Sequence, residues 1–252
     1  MDSIPDTGYH DRLTKLTESL AIGRVATTLP FLSRDSTVQC VRLFADGNRD
    51  KRIRNLVDEL DLIADRLPKL DECICAYVDA VPLTAYDDVT ADGDRFLEWL
   101  DGESNLSAED CDVIACQRAR FEVENQARAN RSAHVLFQDL RSVSDRAARS
   151  PGPAGLVQVH LNPIRSFATF HTMELLDDNE PLSLPVPVAF FPLGCEIHSA
   201  LLEEDGMSAV TVLGQRAPCT LDELWQPGDE VDSTELVRVL NDLADVGLVA
   251  FG

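Results

Sequence analysis

The feature that most constrains this chain is the order of apolar runs and breakers in its last quarter, from Pro185 to Gly252. Two apolar runs, Val186 to Leu193 and Glu196 to Leu202, meet at Gly194, which predicts a strand pair joined by a tight turn. Met207 to Leu213 reads as a short helix stopped by Gly214. Thr220 with Glu223 three residues on forms a capping box for a second short helix, whose buried side is Leu221, Leu224 and Trp225. Asp232 or Ser233 caps a third helix, in which Leu236, Val237, Leu240, Leu243 and Ala244 repeat at helical spacing. Gly247 supplies its C-terminal residue, and Leu248 to Phe251 leaves as a strand. Strand, strand, three short helices and a last strand describe a small winged helix-turn-helix.

The residues before it change character at "RSPGPAG", 149–155, where proline and glycine cannot continue a helix. Upstream, apolar residues recur at helical spacing: Leu13, Leu16, Leu20 and Ile22; Val38, Val41, Leu43 and Phe44; then Ile53 through Leu67 up to Pro68. Cys73, Ile74, Tyr77 and Val78 continue the pattern to Pro82, and Phe96, Leu97, Trp99 and Leu100 mark a short helix. Ser107 with Asp110 opens a long one, followed by a helical piece with Val135, Leu136 and Leu140. Downstream, Leu156, Val157 and Val159, then Phe167 to Phe170, read as strands that extend the sheet of the last quarter. The expected class is α+β: a helical domain over 1–150 and a winged-helix domain over 155–252.

Charge narrows what that tail can hold. The chain has 44 acidic against 22 basic residues, a net charge of −22. In the tail a dozen carboxylates oppose Arg216 and Arg238. A nucleic-acid binder needs a basic face to neutralise phosphates, so a transcriptional regulator is the weaker reading. The acidity suits a basic or neutral protein partner, or serves solubility alone. The N-terminus is polar and no apolar run reaches the length of a membrane span, which leads to the expectation of a cytoplasmic protein.

The residues of catalysis are not assembled. Seven cysteines include a Cys73/Cys75 pair and a Cys111/Cys116 pair, neither at zinc-finger spacing; buried apolar thiols are the better reading. His10, His134, His160, His171 and His198 form no HExxH motif, and His171 with Glu174 falls on opposite faces of an extended segment. A metalloenzyme built on His160, His171 and His198 stays as an alternative. There is no nucleophile elbow, phosphate loop or dinucleotide fingerprint. A binding module is the expectation, with a peptide added as a strand along Glu196, Ile197, His198, Ser199, Ala200 and Leu201 and its side chains reaching Val237 and Leu240 on the third helix. Leu201, Val237 and Leu240 also read as plain core.

The order of these pieces resembles a known family. A short aromatic helix (Phe96, Leu97, Trp99, Leu100) precedes the long helix Ser107 to Glu124; Asn162, Pro163, Ile164 and Arg165 lead into a strand; Thr220, Glu223 and Leu224 open a helix; and Gly247, Leu248 and Val249 start the last strand. Over about 85–252 this resembles the partner proteins of multinuclear non-haem iron oxidative enzymes, the group with methanobactin-partner-like and 3-thiaglutamate-pathway-partner-like members. The resemblance implies a heterodimer with a TIM-barrel iron oxygenase. This chain would be non-catalytic and hold no cofactor. It would present a ribosomally made precursor or carrier peptide through a winged-helix recognition element, while the partner carries the iron and modifies a cysteine of the substrate.

Overall fold

The computed structural model describes residues 7–22, 35–64, 66–67, 69–81, 90–102, 106–147, 157–173, 175–176, 183–224 and 233–252. It is a mixed helix-and-sheet protein, α+β as the periodicities predict. The chain divides into two compact units, Met1–Leu106 and Ser107–Gly252. The break at 149–155 lies outside the described residues. The units part before it, because the long helix opened by Ser107 packs against strands from beyond the break.

The first unit is helical: α1 (Thr7–Ile22), α2 (Asp35–Glu59), α3 (Asp61–Ala64), α4 (Leu70–Ala80) and α5 (Asp92–Asp101). Two helices expected at 38–44 and from 53 onward are one continuous α2. Leu43 and Phe44 lie 66% and 60% exposed on it, so that short apolar run marks no separate core helix. Its C-terminal half supplies Leu56 to a core completed by Ile74 and Tyr77 of α4 and Phe96 and Leu97 of α5. Tyr77 and Phe96 meet edge to face, centroids 5.4 Å apart, an arrangement favoured by the ring quadrupoles. One ion pair ties α2 to α5. Arg52, 6% exposed, donates through Nε and Nη2 to the two oxygens of Asp92 at 2.6 and 2.7 Å, and through Nη1 to the Val81 carbonyl. The Tyr77 hydroxyl donates to Asp92 Oδ1 at 2.8 Å, with the Arg52 guanidinium 4.9 Å from the Tyr77 ring centroid.

The second unit contains α6 (Ala108–Ala129), α7 (Arg131–Ala147), β1 (Gln158–Leu161), β2 (Ser166–Phe170), β3 (Val186–Leu193), β4 (Glu196–Leu201), α8 (Glu204–Arg216), β5 (Cys219–Thr220), α9 (Leu221–Leu224), α10 (Ser233–Val246) and β6 (Val249–Phe251). The Ser107 box forms: Asp110 N–H donates to Ser107 Oγ and Ser107 N–H donates to Asp110 Oδ2. At α9 the Thr220 N–H and hydroxyl both donate to Glu223 Oε2, which holds that carboxyl below its ordinary range. Trp225 lies outside the described residues. Gly214 does not stop α8, which runs on to Arg216. Its α-helical neighbours carry the hydrogen bonds, and a mid-helix glycine costs only about 1 kcal/mol. On α7 the expected apolar positions Val135 and Leu136 face out, 49% and 69% exposed, while Phe137 is buried.

The strands form two antiparallel sheets, not one. One has the order β5-β1-β6, the other β2-β3-β4. The corner between them is Asn162 to Arg165. Asn162, fully buried, accepts the Ile164 N–H through its side chain and donates through Nδ2 to the Pro192 carbonyl, while its carbonyl accepts Arg165 Nη1. β1 and β2 thus diverge within five residues although both are apolar and adjacent in sequence.

β3 is buried on both faces, which explains its unbroken apolar sequence. Val186, Val188 and Phe190 join Ala119 and Val123 of α6 in one cluster. Ala189 and Phe191 on the other face join a second cluster with Val159 of β1, Leu213 of α8, and Leu240 and Leu243 of α10. The α8–α10 helices and the β5-β1-β6 sheet therefore cover one face of β3, and α6 covers the other.

Candidate functional site

β4 is the exposed margin of its sheet. Among the described residues it pairs only with β3, in the register Val188–Leu201 through Leu193–Glu196. Gly194, at φ +63°, makes the turn between them. The Leu202 N–H donates to the Pro187 carbonyl at 2.9 Å, just past the strand. Antiparallel pairing alternates hydrogen-bonded and non-hydrogen-bonded residues, so His198 and Ala200 direct their backbone groups towards β3. Ile197, Ser199 and Leu201 direct theirs outwards. Pro192, which has no N–H to give, sits opposite Ile197 at a non-hydrogen-bonded position. Its carbonyl is met by the Gln138 and Asn162 side chains. The central strand therefore tolerates Pro192, and among the described residues the outer row of β4 keeps unpaired donors and acceptors.

The side chains of β4 divide between the faces. Ile197 and Leu201 pack against the α6 cluster, and Ala200 against the α8–α10 cluster. Glu196, His198 and Ser199 are exposed, and His198 Nε2 stands 3.7 Å from Glu196 Oε2. The sequence placed Ile197 and Leu201 in one groove with Val237 and Leu240. The structure puts the first two on the α6 side of the sheet, while Leu240 is 1% exposed within the opposite core and Val237 is 42% exposed. The helical phase of α10 buries Val239, not Val237.

Where β4 ends, a cleft of about 230 Å³ opens between Leu201 and Leu202, the first turn of α8 and one side of α10. Leu202, Val239 and Leu243 form its apolar floor, exposed 3%, 7% and 4%. Glu203, Asp205 and Asp242 stand at its rim, with Arg238 the cation among its lining residues. Sequence reading missed these residues. The signals present were the "EED" run directly after a strand and the i, i+3, i+7 spacing of Val239, Asp242 and Val246 on α10.

The histidines are not brought together. His160 lies on β1, half-buried, in the other sheet; His171 follows β2 and is exposed; His198 is on β4. Burial lowers the proton affinity of His160. Glu174, expected to stand opposite His171, lies outside the described residues. Among the described residues no three His, Cys, Asp or Glu side chains form a cluster able to hold a metal ion. The cysteines differ from the buried thiols expected: Cys73, Cys75 and Cys116 are half-buried, Cys111 is exposed, and Cys219 is buried, its thiol pushed up by that burial. No helix among the described residues is long and apolar enough to cross a membrane.

The α10 surface is also informative. Arg238 is held by Glu235 and by Asp242, at 3.1 Å from Nη1 to Asp242 Oδ2, and Asp245 adds a further carboxylate. A helix with this balance repels phosphate. No protein-family model, no curated protein and no solved structure matches this chain.

Proposed function

We propose that this chain is a non-catalytic partner subunit that binds a ribosomal precursor or carrier peptide and presents it to a multinuclear iron oxygenase for modification of a cysteine. In this reading β3, β4 and helices α8 to α10 act as a winged-helix-type recognition module, and the peptide adds as a strand to the outer row of β4. The single observation that carries it is that edge: among the described residues Ile197, Ser199 and Leu201 offer unpaired backbone groups beside an open cleft. Main-chain hydrogen bonds supply affinity, and tethering raises the substrate's effective concentration at the neighbouring iron site. The iron belongs to the partner enzyme. A soluble regulator that binds DNA is disfavoured by the acidic α10.

The test is co-purification of the chain with the iron oxygenase and precursor peptide that this reading expects to be encoded beside it. A stable ternary complex is expected, together with no mobility shift of duplex DNA. Failure of the purified proteins to associate, with the peptide unretained, overturns the reading.

A further inference from the structure

We infer that the peptide which docks on β4 carries a basic–apolar segment, with an apolar side chain entering the cleft at the end of the strand and a lysine or arginine beside it. This rests on the peptide-presenting reading and names the chemistry of its ligand. The floor of Leu202, Val239 and Leu243 rewards burial of an apolar group, and the volume of about 230 Å³ accommodates one or two side chains. Val246, 40% exposed, extends that apolar surface at the lip. The cleft is lined by Leu201 and Leu202 where β4 ends, so a strand added at the edge finishes beside it.

The rim decides what flanks the apolar group. Glu203, Asp205 and Asp242 place three carboxylates there, and the guanidinium of Arg238 is already engaged by Glu235 and Asp242. Glu203 feels the Arg238 guanidinium without a direct contact, and Asp205 makes no ion pair among the described residues. A wholly apolar or acidic peptide laid across them would strip or repel these charges without compensation. A cation on the peptide offsets that cost and steers the encounter. The net charge of −22 adds a long-range field of the same sign.

The test uses two fluorescein-labelled synthetic peptides of roughly ten residues, one alternating valine with lysine and one valine with glutamate, long enough at ~3.4 Å per residue to span β4 and the cleft. Anisotropy with the full chain should show binding of the lysine peptide only, weakening as salt rises. Asp205→Lys with Asp242→Lys should weaken it about tenfold. Glu109→Lys with Glu122→Lys, the same charge change on exposed positions of α6, should leave it within about twofold. Val246→Glu is a second cleft variant on an exposed position, and it should weaken binding like the first. Equal losses in the cleft and α6 variants would mean diffuse attraction and overturn the inference, as would equal binding of the glutamate peptide. The natural precursor is measured in parallel. Its retention unchanged by the cleft variants overturns this inference but leaves peptide presentation standing; its absence from the wild-type complex overturns both.

Discussion

Asp112 on α6 and Thr172, just past β2, are joined by two hydrogen bonds: the Thr172 N–H and hydroxyl donate to Asp112 Oδ2 at 2.7 and 2.6 Å. The His171 N–H donates to both oxygens of the same carboxylate, at 2.9 and 3.0 Å. Asp112 is 1% exposed. A charge buried this far is stable only if its lone pairs are met. Here the chain leaving β2 meets them with backbone donors, so the carboxylate fastens the end of that strand to the helix beneath it.

Asp112→Ala should therefore destabilise the second unit by about 3 kcal/mol, because two part-buried backbone N–H groups and the Thr172 hydroxyl lose their acceptor. Thr172→Val, which removes only the hydroxyl donor, should cost about 1 kcal/mol. Urea denaturation followed by far-UV circular dichroism measures both. Equal effects from the two substitutions would contradict the assignment of the backbone donors as the larger contribution.

In the first unit, Arg52→Leu alone should cost about 3 kcal/mol, since it leaves the Asp92 carboxylate poorly compensated beside Tyr77. Burial first, then the Asp92 hydrogen bond, pushes the Tyr77 phenol up, so it remains a donor across the working pH range and partly steadies that carboxylate. Adding Asp92→Leu should recover part of the loss. A double variant no more stable than the sum of the two single losses would show that the pair is not coupled.

Gly194 and Gly247, both left-handed, should respond differently to alanine. Gly194, at φ +63°, has nothing within 4 Å of an added Cβ, so Gly194→Ala should cost only the backbone penalty of about 1 kcal/mol. Gly247, at φ +94°, would place that Cβ 2.5 Å from Leu193 Cδ2. Gly247→Ala should cost clearly more, because the backbone strain is joined by a core side chain that must move. Thermal melts of the two variants give the order.

His160 makes stability depend on pH in a predictable direction. Burial favours its neutral form in the folded chain, while the unfolded chain keeps a pKa near ~6.5. As pH falls below about 6.5 the unfolded state takes up a proton first, and this contribution is lost as pH falls through the lower folded value. The surplus of carboxylates acts the opposite way, since protonating some relieves self-repulsion. Comparison with His160→Gln removes that common background. The stability advantage of the wild-type chain over the variant should shrink from about pH 7.5 to about pH 5; a constant difference would contradict the half-buried imidazole favouring its neutral form.

Much of the second unit could be read from residues. The β3–β4 hairpin is announced by two apolar runs and Gly194, and α10 by its spacing and by Gly247 at its end. Asp232, expected as a cap, lies outside the described residues, and Ser233 is the first residue of the helix. The split into two sheets could not be read, because β1 and β2 carry the same kind of apolar pattern. Only the buried Asn162 corner sends them to different partners. Asp112 was silent for a similar reason: in sequence it is one more acidic residue after Glu109 and Asp110, and the donors that define it lie 59 and 60 positions away. The candidate groove was misplaced by the period of the strand and the phase of the helix. Ile197 and Leu201 turn towards α6, and α10 presents Val239, Asp242 and Val246 to the cleft.

The most direct measurement of the central claim is residue-resolved amide exchange of β4 with and without the precursor peptide. Strand addition predicts new protection at Ile197, Ser199 and Leu201, whose N–H groups face outwards, and little change at His198 and Ala200, already bonded to β3. Unchanged exchange at Ile197, Ser199 and Leu201 in a sample that retains the peptide would contradict docking at this edge.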